Sequence, residues 1–267
     1  MRKTQLADGP DQNKGHNYVT ALARGLELLR CFGDAAEYLG NAELAKRTDI
    51  PRPTVSRLTA TLTHLGYLLY MPHLEKYRLG PRVLDLGYRY LASEGVGGIA
   101  QPFMQDLADA TDCMVAIGVP EGAHLTYTHT CQGKGPLILR LQVGSRVPMA
   151  LSSMGLAFLA AHDEADREVY YEKIREESRV PWSEIEPLLE RAYADYERYG
   201  FCMTESTWSR DISGVGVPLV LENGQRVMSF NCGGASQRLT REVMIENLGP
   251  RLKEVVDQVR QLVVGGD

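Results

Sequence analysis

The stretch IPRPTVSRLTATLTHLGY, residues 50 to 67, constrains this chain more than any other. Proline fixes φ and needs no N–H partner in a first helical turn, so Pro51 and Pro53 close off a helix before them and favour one after. Pro53 is expected at the first helical position. Val55, Leu58, Leu62 and Leu65 then recur at spacings of three and four, the stripe of a helix buried along one side. Gly66 stands where such a helix ends. With the stripe inward, Arg52, Thr54, Ser56 and Arg57 crowd the opposite face of the opening turns, and Pro53 holds the entry rigid. A helix N-terminus favours phosphate oxygens, and arginines with short hydroxyls suit base edges and backbone in a major groove. A surface helix with an idle polar face has the same pattern, so the neighbours decide.

Upstream, Val19, Leu22, Leu26, Leu29 and Phe32 predict an amphipathic helix over 19 to 32, with residues 1 to 16 a mobile tail. A second helix follows, with Asn41 as its N-cap and Leu44 and Ala45 facing inward. Downstream, YLLYMPHLEKYRLG alternates around a Pro-His-Leu-Glu-Lys turn and reads as a hairpin. Three helices and a ribbon make a winged helix-turn-helix, with His73, Lys76 and Arg78 at a tip able to reach phosphate or a minor groove. PRVLDLGYRYLAS then begins a further amphipathic helix through Val83, Leu84, Leu86 and Leu91.

Charge agrees with that division. The chain carries a net −5, which alone argues against nucleic acid, but residues 1 to 91 hold 13 Lys+Arg against 9 Asp+Glu while the remainder holds 16 against 25. A basic head on an acidic body fits a DNA-binding module joined to something that does not touch DNA.

The residues resemble a known family. Arg24 to Leu29, Leu44-Ala45, Pro51 to Leu58, Leu65-Gly66-Tyr67 and Tyr77-Arg78-Leu79-Gly80 are similar, in order and spacing, to the DNA-binding domain of IclR-type bacterial transcriptional regulators. Leu86-Gly87 matches its linker helix. Val147 to Ala157, Gly200-Phe201 through Val217-Pro218, and Phe230 to Gly234 match its effector domain. The resemblance implies an α+β protein of four parts. These are the tail (1–16), a winged helix-turn-helix DNA-binding domain (17–80), a linker helix (81–94) and a GAF/PAS-like antiparallel-sheet effector domain (95–264).

On its own terms the body is mixed α and β. Helices are expected near 98–111, 153–161, 164–178, 183–199 and 240–262, and strands near 113–119, 123–131, 137–143, 201–205, 213–221 and 226–232. Neighbouring strands with helices grouped apart indicate an antiparallel sheet. Ser152-Ser153-Met154 opens a helix whose free N–H groups and hydroxyls suit a carboxylate. Leu139, Val147, Met149, Met154 and Ile212 are apolar candidates around it, though each alone reads equally well as ordinary core. The resemblance adds Ser153, Thr204, Gly214 and Asn231 to the pocket lining. Leu156 stands where a lysine is usual in the family, and Ser206-Thr207-Trp208 where acids are frequent, departures that leave the particular ligand open. Trp208, Met149 and Met154 favour a bulky, aromatic acid.

Catalysis finds little footing. Ser152-Ser153 has no histidine or acid near in sequence and no G-x-S-x-G elbow. Gly214-Val215-Gly216 precedes no helix, so it is not a dinucleotide loop. The acids at 163 to 197 alternate with arginines and lysines as a solvated face does. Five scattered cysteines (31, 113, 131, 202 and 232) make neither a disulfide framework nor a zinc knuckle. His129-Thr130-Cys131, with His124 nearby, is a weak metal pattern, and Cys202 and Cys232 are expected to be passive core thiols. The expectation is a cytoplasmic regulator, not an enzyme. It needs no cofactor or metal, spans no membrane, and binds operator DNA and a small effector as a dimer or dimer of dimers. The alternatives are a GAF-type enzyme with an accessory helical head, a cysteine reductase included, and an unspecific nucleoid-like DNA binder.

Overall fold

The computed structural model describes residues 18–33, 37–134 and 141–265. The tail and Leu139 lie outside them. The chain divides into two compact units at Ser93/Glu94.

The first unit contains α1 (Thr20–Arg30), α2 (Asn41–Thr48), α3 (Arg52–His64), the antiparallel hairpin β1 (Leu68–Met71) and β2 (Lys76–Leu79), and α4 (Arg82–Glu94). Leu28, Leu39, Leu44, Ile50 and Val55 form its core. Several sequence expectations need correction. Pro51 is the N-cap of α3 and Arg52 its first residue, so Pro53 comes second, where it still gives up no helical hydrogen bond. Of the predicted stripe only Val55 is fully buried and Leu65 is exposed. Thr59 takes the inward place, because its hydroxyl donates to the Val55 carbonyl (3.0 Å) and to Asn41 Oδ1 (3.1 Å). The N-cap of α2 is Gly40, whose N–H donates to Glu43 Oε2 at 2.7 Å, leaving the Asn41 amide free to hold Thr59. In α1 the core face is Gly25 and Leu28, while Val19, Leu22 and Leu26 face outward. No described side chain of α4 is fully buried: Leu84 is 74% exposed and Tyr88 68%. Gly66 (φ +80) closes α3 as expected, with Tyr67 N–H on the Leu62 carbonyl and Gly66 N–H on that of Thr63.

The second unit is built on a six-stranded antiparallel sheet in the order β5-β4-β3-β8-β7-β6. Its strands are β3 (Met114–Glu121), β4 (His124–Gln132), β5 (Arg146–Pro148), β6 (Cys202–Glu205), β7 (Ile212–Leu221) and β8 (Arg226–Ala235). The strand expected over 137–143 falls mostly outside the described residues, and 141–143 is not strand. The sheet edge is β5 instead, whose Val147 pairs with Leu125. α5 (Val96–Thr111) and α10 (Gly249–Val264) pack with Val115, Ile117, Val215 and Phe230 on one face. On the other lies α6 (Ser153–Ala160), with α7 (Glu164–Glu177) and α8 (Trp182–Tyr199) around it. The closing helix is not uniform: α9 (Arg241–Val243) passes through a π segment (Met244–Leu248) into α10. Pro250 has no N–H for the residue 246 carbonyl, and the ladder widens just ahead of it.

α6 is buried on every side. It can lie this close because β7 offers Gly216, where an added Cβ would sit 2.1 Å from the Ser153 carbonyl oxygen. Backbone stands on both sides of that contact, so no side chain can yield. Gly216→Ala is therefore expected to cost about 1–3 kcal/mol or more through forced overpacking. Urea unfolding with an unchanged m-value would check this, against Gly98→Ala, whose Cβ meets open space.

Candidate functional site

Two places collect the residues singled out by the sequence. In the first unit, the turn after α2 runs through Asp49 in the left-handed region (φ 54) to Pro51, and α3 leaves it with Arg52, Pro53, Ser56 and Arg57 exposed and Thr54 half-buried. The Thr59–Asn41 bond and buried Val55 fix the rotation of α3 about its axis, so that face points outward by necessity. His73 sits exposed in the turn of the hairpin. Lys76 and Arg78 lie along β2 rather than at the tip. Lys76 Nζ is 3.1 Å from the Glu43 carboxylate, and Arg78 is half-buried, with no partner for its Nε among the described residues. The Gly40 N–H and then Lys76 hold the Glu43 carboxyl below its ordinary range. The wing is further tied to the helices by Leu39, which exchanges backbone hydrogen bonds of 2.9 and 3.0 Å with Tyr77.

In the second unit a cavity of about 30 Å³ opens between the sheet and the start of α6. Of the residues expected there, Val147, Ser153, Thr204, Ile212, Gly214 and Asn231 line it. Met149 and Met154 do not. Both are fully buried in core, and Met154 Sδ occupies the space over Gly118, where a Cβ would meet it at 2.2 Å. Trp208 reaches the lining from the β6–β7 connection. Sequence reading missed Met114, Tyr127, Leu141, Ser213 and Gly233. The alternation of Leu125 and Tyr127 along β4 carried the signal for Tyr127, since both fall on the α6 face.

The opening of α6 has one hydroxyl engaged and one presented. Ser152 is the N-cap: its Oγ accepts from Gly155 N–H (3.2 Å) and donates to the Pro148 carbonyl (2.8 Å). Ser153, the first helical residue, lines the cavity. Across from it, Asn231 of β8 stands opposite Ala116 of β3, and Tyr127 of β4 opposite Gly118. These two small residues let the amide and the phenol meet over β3, where they hydrogen-bond. Burial pushes the Tyr127 phenol well up, so it stays protonated.

This pairing of a helix-turn-helix with a sheet-bound cavity has close counterparts. A model described as the IclR helix-turn-helix domain matches residues 21–72, and one described as bacterial transcriptional regulator IclR C-terminal matches residues 88–261. The chain belongs to the IclR family. A relative from Comamonas testosteroni, the HTH-type transcriptional regulator TsaQ1/TsaQ2, is 34% identical over 94% of this chain and 91% of its own. The p-hydroxybenzoate hydroxylase transcriptional activator of Acinetobacter baylyi is 24% identical over 95% of both. The crystal structure of an IclR family transcriptional regulator from Brucella abortus superposes with a TM-score of 0.83 at 42% identity, covering 94% of this chain and 95% of that one. Among the described residues of this IclR chain, no group of three His, Cys, Asp or Glu side chains could hold a metal ion, and no helix is long and apolar enough to cross a membrane.

The cysteines divide in a way the sequence did not suggest. Burial, with Asp195 nearby, pushes the Cys202 thiol far up. Cys232, on the face of β8 away from the cavity, is instead hydrogen-bonded to Cys113. The bond from Cys232 draws the Cys113 thiol below its ordinary range against the opposing effect of burial, and raises Cys232. A thiolate is the reactive form. Native-state alkylation followed by peptide mass spectrometry should therefore label Cys113 at a lower pH than Cys202. Equal labelling of the two would contradict the assignment.

Proposed function

We propose that this chain is a cytoplasmic transcriptional regulator in which residues 17–80 read an operator, 81–94 form the linker helix, and 95–264 bind a small organic acid that modulates operator affinity. The observation that carries the reading is the bare face of α3: Arg52, Pro53, Ser56 and Arg57 are exposed on a helix whose other side is locked. The names of the relatives support regulation over turnover, and that of the Acinetobacter baylyi activator favours an aromatic acid. The site assigned to the acid is the cavity at Ser153, with Val147, Thr204, Ile212, Gly214 and Asn231 around it.

A homo-oligomer completes the reading. Leu22 and Leu26 of α1 and Leu84, Leu86, Tyr88 and Tyr90 of α4 are large apolar side chains facing outward, and exposed apolar side chains in such number suit an interaction surface. One winged module covers one half-site, so a symmetric pair suits a palindromic operator. Leu84→Lys combined with Tyr88→Lys should lower the sedimentation mass of the protein; an unchanged mass would place the interface elsewhere.

On DNA, Arg57→Ala is expected to weaken binding to the duplex upstream of its own gene by about 1–3 kcal/mol, with little loss on a scrambled duplex. Lys76→Ala should weaken both alike and reduce the salt slope by about one. Equal losses for Arg57→Ala on the two duplexes would remove its base-reading role. For the acid, Thr204→Trp fills the cavity from β6. It is expected to abolish the thermal shift given by aromatic acids while leaving operator binding intact.

A further inference from the structure

The cavity contains a polar group with no partner among the described residues. Asn231 is 9% exposed and its Oδ1 meets no hydrogen-bond donor. The other half of the amide is engaged with Tyr127, which also lines the cavity. A buried amide left half-unpaired works against stability unless something that binds there completes it.

What would complete it follows from donor and acceptor counting. If the amide nitrogen donates to the phenol oxygen, its second hydrogen, the phenol hydrogen and Oδ1 remain to be used. With the amide turned over, the phenol donates to Oδ1, and both amide hydrogens and a phenol lone pair remain. Either way the pair offers an acceptor beside its free donors. A carboxylate only accepts and would leave that acceptor unpaired, whereas a hydroxyl donates and accepts at once. The carboxylate has a better place at the other end of the cavity. There the first N–H groups of α6 have no intrahelical partner and the helix dipole favours a negative charge. Ser152 is committed to Gly155 and Pro148, so Ser153 is the hydroxyl at hand. Val147, Ile212 and Trp208 supply the apolar middle.

We infer that this pocket selects a hydroxylated organic acid, its carboxylate at Ser153 and the start of α6 and its hydroxyl held between Asn231 and Tyr127. The inference rests on the organic-acid reading above and narrows it: Asn231 and Tyr127 set the choice between an acid and its deoxy analogue. A site built to hydrogen-bond a hydroxyl rejects the analogue lacking it, because the buried groups are then left unpaired.

The test is isothermal titration of the full-length protein with two matched sets, benzoate against the three monohydroxybenzoates and butyrate against 3-hydroxybutyrate. At least one hydroxylated acid is expected to bind about tenfold or more tightly than its deoxy partner. Asn231→Leu should bring the two together by weakening only the hydroxylated acid. Tyr127→Phe, which removes one oxygen and keeps the ring, should do the same should Asn231→Leu fail to fold. Operator binding by each variant reports that it is folded. Equal affinity within both sets, or a preference that survives in the folded variants, would overturn the inference and leave the organic-acid reading standing. Preference in the aliphatic set alone would keep the inference and remove the aromatic reading. No binding by any of these acids would overturn both.

Discussion

The approach of α6 to the sheet at Gly216 is the contact on which the effector unit depends. A helix buried on every side must press its backbone against something, and here the Ser153 carbonyl lies where any side chain on β7 would stand. That contact fixes how far α6 can sink, and hence where its first turn projects. Beyond it the sheet carries Gly214 and Gly233, which leave a hollow under the helix start. Further along, Met154 fills the space over Gly118, and the hollow closes. The cavity is therefore a by-product of a row of small residues interrupted by one large one. Its polar end at Ser153 and its amide end at Asn231 belong to different elements, and the sheet register holds both.

The DNA-reading head follows the same logic by other means. Its core is a handful of apolar residues, so hydrogen bonds do much of the orienting. Thr59 ties α3 to Asn41, the Gly40 N–H reaches back to Glu43, and Glu43 meets Lys76 on the wing. No one of these bonds is strong by itself, but together they leave α3 one rotation about its axis. A recognition surface needs that restriction, because base contacts carry specificity only when the side chains arrive already placed.

Much of this was legible in the sequence. The helix-turn-helix, the hairpin and most strands of the body follow from periodicity, turn residues and the resemblance. The errors share a cause. Leu22, Leu26, Leu84 and Leu86 have helical spacing, and spacing says that a face is apolar without saying what covers it; here that face is exposed. Asn41 and Pro53 each came one place out, since Gly40 and Pro51 take the N-cap positions through their backbone conformation and with no side-chain cap. Met149 and Met154 belong to the right segment but point into packing instead of the cavity. Conversely, Tyr127 and Asn231 stand about a hundred residues apart, and nothing local in either strand announces that two small residues on β3 let them touch. Pairing across a sheet is the information a single sequence hides best.

A ligand shifts a conformational equilibrium only as far as its affinities for the two states differ. The cavity as it stands has room for little more than a water or two, so any organic acid must displace part of its wall. The wall is not uniformly stiff. At Gly216 backbone meets backbone, and Met154 is locked over Gly118; neither can give without unpacking α6. The β6–β7 connection is held differently. Ser236 Oγ links Ser206 and Ser213 at 3.0 Å each and donates to the Arg210 carbonyl at 3.2 Å, while exposed Trp208 closes the cavity from that side. A few hydroxyl hydrogen bonds, each worth about 1 kcal/mol net, are a smaller barrier than a buried helix. For the acid proposed above, the connection from β6 to β7 is the part of the described wall that yields at least cost.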